Sequence, residues 1–215
     1  MESPRERRGL ASRQSRATVP LTSLYDLLTR VGHHLDQSEI SWALVGGLAV
    51  GARTEPRFTR DVDLAIAVDD DRQAEQVVKT MLELGYQLSA LLEQMAVGRL
   101  ATVRFLPPGE DRLVDLLFAS SGIEPEIVAQ SQRINVLEGA FAPVARLGHL
   151  IAMKILARDD RRRPQDRVDL EGLLRGAPQE ELAACRAGLQ LIMNRGFHRE
   201  RDLLAELSVT LEEFA

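Results

Sequence analysis

The chain has 215 residues, 45% hydrophobic and 27% charged, ordinary for a soluble globular protein with a real core. Its net charge of −5 argues against a dedicated duplex-DNA binder, and its single cysteine, Cys185, excludes a disulfide framework or a cysteine-based zinc site. No run of about 18 apolar residues occurs, so no transmembrane helix is expected, and the expected setting is the cytoplasm.

The first 18 residues carry five arginines and no apolar stretch, so they read as a disordered basic leader without the middle of a secretory signal. Leu21, Leu24, Leu28, Val31 and Leu35 recur at helical spacing and predict an amphipathic helix over 21–36. "SWALV" (Ser41–Val45) reads as a short strand that stops at Gly46-Gly47, with a short helix in "LAVGART". Residues 60–68 read as a second strand, with Val62, Leu64, Ile66 and Val68 on one face and Asp61, Asp63, Ala65 and Ala67 on the other. A helix follows, with Ala74, Val77, Val78, Met81 and Leu82 in one stripe and Gly85 as its C-cap. "LATVRFL" and "RLVDLLFA" flank "PPGED" and predict two antiparallel strands, and 133–144 holds one or two more. From Ala145 the pattern is helical: roughly 146–158, 165–175, 178–194 and 199–213. This divides the chain into a leader (1–18), a sheet domain (19–144) and a C-terminal helical region (145–215), an α/β (α+β) organisation.

Several residues sit against this pattern. Residues two apart on a strand point the same way, roughly 7 Å apart, so Asp61 and Asp63 share a face. Two such carboxylates resist joint ionisation unless a cation lies between them, and hard oxygen donors suit magnesium. A solvated edge strand would carry the same pair. The Gly46-Gly47 turn after a strand brings backbone N–H groups close to an anion, although a plain tight turn also uses Gly-Gly. Asp115 is a lone acid in an apolar strand and needs a partner there, such as a metal, or a backbone donor at the strand end. Lys154 falls in the apolar stripe of Leu147, Leu150, Ile151 and Ile155, either turned inward toward phosphates or acids or snorkelling at the rim. Asp166 and Asp169 share a helix side with Leu170 and Leu173; a helix N-terminus accounts for Asp166 better than for Asp169.

The set formed by Gly46-Gly47, "TRDVDLAI" and "RLVDLLFA" resembles the DNA polymerase beta nucleotidyltransferase superfamily, and "LGHLIAMKILARDDRRRPQDRVDLEGLL" is similar to the lysine helix and following acids of AbiEii-type nucleotidyltransferase toxins. The resemblance covers roughly residues 40–175. It implies a minimal nucleotidyltransferase fold, with a mixed sheet flanked by helices. It places two magnesium ions, or manganese in their stead, on Asp61, Asp63 and Asp115, and a phosphate-binding turn on Gly46 and Gly47. The conserved lysine falls on Lys154, with supporting acids on Asp166 and Asp169. Gly47 stands where many members have Ser, and Gln165 replaces the usual Lys beside Asp166.

The expected reaction moves a nucleoside monophosphate from a nucleoside triphosphate to an acceptor hydroxyl. Asp115 helps take the acceptor's proton, while Lys154, with Arg53 or Arg60, balances charge on the departing pyrophosphate. The resemblance suggests tRNA or another RNA as acceptor, in a toxin–antitoxin setting with a cognate antitoxin. A protein side chain, a small molecule, or a non-catalytic nucleotide-binding role stay open alternatives. The arginine-rich "ARDDRRRPQDR" fits either an RNA path or a charged interhelical loop. A Lys154→Met variant is expected to fold and melt normally but transfer poorly.

Overall fold

The computed structural model describes residues 23–137, 139–159, 161–162 and 164–214. The basic leader and Leu21 lie outside the described residues. The helices are α1 (Leu24–Gln37), α2 (Gly46–Arg53), α3 (Asp71–Glu83), α4 (Glu124–Ala129), α5 (Leu147–Ala157), α6 (Pro164–Leu174), α7 (Gln179–Asn194) and α8 (Leu203–Glu213). The strands are β1 (Trp42–Val45), β2 (Val62–Ile66), β3 (Gln87–Gln94), β4 (Arg99–Leu106), β5 (Val114–Leu117), β6 (Gln132–Leu137) and β7 (Ala140–Val144). The last strand ends at Val144, and among the described residues the elements that follow it are all helices.

The strands form one mixed, seven-stranded sheet in the order β3-β4-β5-β2-β1-β7-β6. β1 and β2 pair antiparallel, β2 and β5 parallel, and β4 and β5 antiparallel. Apolar residues fill both faces at the centre: Val62, Leu64, Ala65 and Ile66 of β2 are fully buried, as are Val114 and Leu116 of β5. Central strands covered on both faces read as continuous apolar runs, so the carboxylates among them stand out.

Two register positions set up the site. On β2, Asp63 lies opposite Val45, the last residue of β1, and beside Asp115 of β5. Arg104 of β4 lies opposite Asp115 on its other side. The turn that leaves β1 is therefore fixed directly over one carboxylate, with a second carboxylate in the next strand.

The helices cover the sheet for readable reasons. A capping box at Ser23 and Asp26 starts α1, and the N-cap carboxylate of Asp70 accepts from the Gln73 N–H to start α3. α5 is buried almost all round, with Gly148, His149, Leu150, Ile151, Ala152, Ile155 and Leu156 inside. It packs on α7, α6 and α2, closely enough that a Cβ at Gly148 would lie 2.3 Å from the Glu181 carbonyl oxygen. The edge strand β3 and the short helix α4 are additions to the pattern read from the sequence, and the helix after β1 begins at Gly46 itself. Among the described residues no helix is long and apolar enough to cross a membrane.

Candidate active site

A cavity of about 690 Å³ opens between the sheet and the C-terminal helices. Gly46, Gly47, Asp61, Asp63, Asp115, Lys154 and Asp166 line it. The stretch before β2 adds Arg57 and Thr59, so Arg57, Thr59, Asp61 and Asp63, each two residues apart, all reach one wall.

The diglycine is explained first by Asp63. Gly46 has a φ of 63°, which favours glycine, and a Cβ there would stand 1.9 Å from Asp63 Oδ2. The carboxylate fills the space a side chain would need. Burial, then the charges of Asp115 and Asp61, push the Asp63 carboxyl up to about 6; Lys154 and a hydrogen bond from the Gly47 N–H pull the other way. Burial also raises the Asp61 carboxyl, with Arg104 opposing and Asp115 adding to the rise.

Asp115 is 7% exposed and already has a partner. Arg104 donates to it twice, Nε to Oδ1 and Nη2 to Oδ2, both at 2.7 Å. Those bonds raise the guanidinium further above its ordinary value. Among the described residues no three His, Cys, Asp or Glu side chains already stand as a metal-holding group. The donor set nevertheless has the chemistry a divalent cation wants: hard oxygens on neighbouring strands, one of their carboxyls pushed up in pKa by burial and by its neighbours' charges, which a cation would offset. Arg104 now supplies part of the positive charge that such a cluster demands.

Lys154 turns inward. Its Nζ lies 2.7 Å from Asp166 Oδ1 and 2.7 Å from Asp169 Oδ2, and both acids are only 2% exposed. Arg57 joins the same group, with Nη2 donating to Asp169 Oδ2 at 2.8 Å and Nε 2.8 Å from Oδ1. Gln165, the position where a lysine was expected, donates to Asp169 Oδ1 at 3.2 Å. The snorkelling alternative for Lys154 is therefore set aside, and so is the expectation that Lys154→Met would leave stability untouched.

Two proposed phosphate contacts lie elsewhere. Arg53 Nε donates to the Ala145 carbonyl at 3.1 Å and its Nη1 to Gln132 Oε1 at 2.7 Å, fastening α2 to the β6–β7 side. Arg60 stacks over the exposed Phe58 ring, 5.8 Å from its centre, and faces a neighbouring hollow. Neither lines the cavity. Among the described residues the cations that do, besides Lys154, are Arg57, Arg104, Arg162 and Arg199. Of the arginine-rich loop, Arg158 and Arg167 bond to Glu213 on α8, whereas Arg162 reaches the cavity.

The family model of the nucleotidyl transferase AbiEii toxin, from a type IV toxin–antitoxin system, matches residues 27–213. The chain belongs to this family. By that membership it is a nucleotidyltransferase. Solved structures agree on the fold. The antibiotic-resistance factor ANT(2'')-Ia is 16% identical, with a TM-score of 0.55 over 77% of this chain and 90% of that one. An antigenic nucleotidyltransferase-like protein from Paracoccidioides brasiliensis is 22% identical, with a TM-score of 0.51 over 89% and 94%. No curated protein matches the chain.

Proposed function

We propose that this AbiEii-family chain transfers a nucleoside monophosphate from a nucleoside triphosphate to a hydroxyl of RNA, as the toxin of a toxin–antitoxin pair. The observation that carries the reading is one cavity in which Asp61, Asp63 and Asp115 face arginines and a lysine supplied by other elements. A triphosphate needs both: carboxylates for its accompanying cation and cations for its phosphates.

In this reading Asp61, Asp63 and Asp115 hold divalent metal, magnesium or manganese. That metal supplies Lewis acidity at the reacting phosphate and lowers the pKa of the attacking hydroxyl. The acceptor oxygen forms the new bond to the α-phosphorus as the bond to the β-phosphate bridge breaks, and pyrophosphate leaves. Gly46 and Gly47 let the chain pass close to the phosphates without a side chain intervening. Arg57 sits beside Gly47, placed to meet charge on the leaving group. Lys154, tied to Asp166 and Asp169, holds that arginine's partner in place and adds positive potential at Asp63. Asp115 would receive the acceptor's proton on a lone pair beside its bonds from Arg104, since each of its oxygens accepts one of those bonds and has a second lone pair.

The test is incubation of the purified chain with each labelled nucleoside triphosphate, magnesium and total RNA. Label should appear in RNA and vanish with Asp63→Asn. Label in the protein itself or in a small-molecule fraction would move the acceptor to those classes. Absence of any transfer across all four nucleotides and all fractions would overturn the reading.

A further inference from the structure

The wall of the cavity beside the diglycine lacks a side chain at the turn but has one leaning over it. A Cβ built on Gly47 would meet Thr59 Oγ1 at 2.7 Å, Arg57 Nη2 at 3.0 Å and Thr59 Cβ at 3.0 Å. The nearest atom to the place where a turn side chain would begin is thus a hydroxyl oxygen delivered from the α2–β2 connection. Thr59 lines the cavity together with Gly47, Asp61 and Asp63. Gly47 has no positive φ, so its backbone would accept a side chain; what forbids one is the space Thr59 and Arg57 occupy.

The neighbours of Thr59 explain why the hydroxyl is held there. Arg57, two residues earlier, is anchored through Asp169, which Lys154 also grips. Arg57 Nη1 donates to the Phe58 carbonyl at 3.1 Å, which steadies the backbone just before Thr59. The hydroxyl itself makes no hydrogen bond with another described residue, although it stands at a cavity wall built of charged groups. A half-buried hydroxyl at such a wall, not committed to another described residue, is available to donate to a ligand.

Building on the transferase reading, we infer that Thr59 is a phosphate-binding residue of this site: its Oγ1–H donates to a non-bridging phosphate oxygen of the bound triphosphate, with Arg57 beside it, and it occupies the place that a side chain at position 47 would otherwise take. Gly47 is glycine because Thr59 has claimed that space.

The test uses the full chain and inorganic tripolyphosphate with magnesium, measured by calorimetry, so that no base need be chosen. Thr59→Val keeps shape and removes the hydroxyl. It should fold as the parent does, by melting and circular dichroism, and bind tripolyphosphate roughly tenfold or more weakly, the effect of one hydrogen bond to a charged acceptor. Affinity for inorganic monophosphate should change much less. Gly47→Ser alone should weaken binding, because its Cβ meets the Thr59 hydroxyl. The double variant Gly47→Ser/Thr59→Gly removes both Thr59 atoms that a Cβ at position 47 would meet, returns a hydroxyl from the opposite side of the same space, and should bind more tightly than either Gly47→Ser or Thr59→Val. Unchanged affinity in Thr59→Val overturns the assignment, as does a folded double variant no better than Thr59→Val. A parent chain that binds no tripolyphosphate and no nucleoside triphosphate overturns the transferase reading itself, a different result from either.

Discussion

Asp63 is held where an ionised carboxylate is least comfortable, beside Asp115, near Asp61 and against the turn at Gly46. Its carboxyl is pushed to about 6, above its ordinary 3.8. Between those two values the native state keeps a proton that the unfolded chain has lost, so stability falls as pH rises through that window. Asp63→Asn removes the titration and keeps the acceptor for the Gly47 N–H. The melting temperature of the variant relative to the parent should therefore climb from about pH 4 to about pH 6 and then level off. Magnesium at pH 7 should stabilise the parent, because it binds the ionised native cluster, and stabilise Asp63→Asn less. A difference that stays flat across this range would show that Asp63 ionises as freely in the fold as in the unfolded chain. Arg104 offers the complementary experiment. Arg104→Met strips both hydrogen bonds from a carboxylate that is 7% exposed. The loss should stay below the about 3–5 kcal/mol of a fully buried pair, because the Arg104 side chain is 38% exposed and screened. Added manganese should recover part of it by taking over the charge balance at Asp115. Denaturant titration with and without the metal measures both quantities.

At the scale of elements, what could be read in the sequence follows burial. β2 and β5 were legible because they run through the core and show apolar residues on both sides of a single acid. β3 was not, because "QLSALLEQ" is an edge strand exposed on both faces, so neither alternation nor an apolar run marks it. The pairing of Arg104 with Asp115 depends on the register of β4 against β5, which no local pattern specifies. Arg57 and Thr59 did leave a signal: they continue the two-residue spacing of Asp61 and Asp63 upstream of the strand. Arg53 misled because its charge suited a phosphate, whereas its hydrogen bonds go to the Val144 and Ala145 carbonyls and Gln132. Lys154 was recognisable as misplaced in an apolar stripe, but its partners lie on the next helix. With those partners known, Lys154→Met should destabilise by about 3–5 kcal/mol, since Asp166 and Asp169 lose a shared cation inside the protein. Adding Asp166→Asn should restore much of that, because Arg57 still serves Asp169. Urea unfolding of the single and double variants decides it: a single variant as stable as the parent would mean the ion pairs contribute nothing net.

Across the whole molecule the same network joins two regions that the sequence pattern divides near residue 145. Arg57, from the connection leading into the sheet, holds Asp169 on α6, and Lys154 on α5 holds Asp169 and Asp166. Apolar packing continues across the same boundary: Leu150, Ile151, Ala152 and Ile155 of α5 belong to one core cluster with Leu44, Val45 and Leu64 of the sheet. Arg53 adds hydrogen bonds to the carbonyls of Val144 and Ala145, at the junction itself. A boundary between independent domains would show few contacts and a polar interface. Here each side completes the other's core and the cavity between them. We expect the full chain to unfold in one cooperative step, with fluorescence at Trp42 on β1 and far-ultraviolet dichroism from the helices tracing the same denaturant curve. A fragment ending at Val144 would expose the sheet face that α5 covers and leave Arg57 without its buried acid. It should fail to fold cooperatively and should not bind tripolyphosphate. Two separated transitions in the full chain, or a fragment that folds and binds, would establish that the helical region is a detachable domain and that the site belongs to the sheet alone.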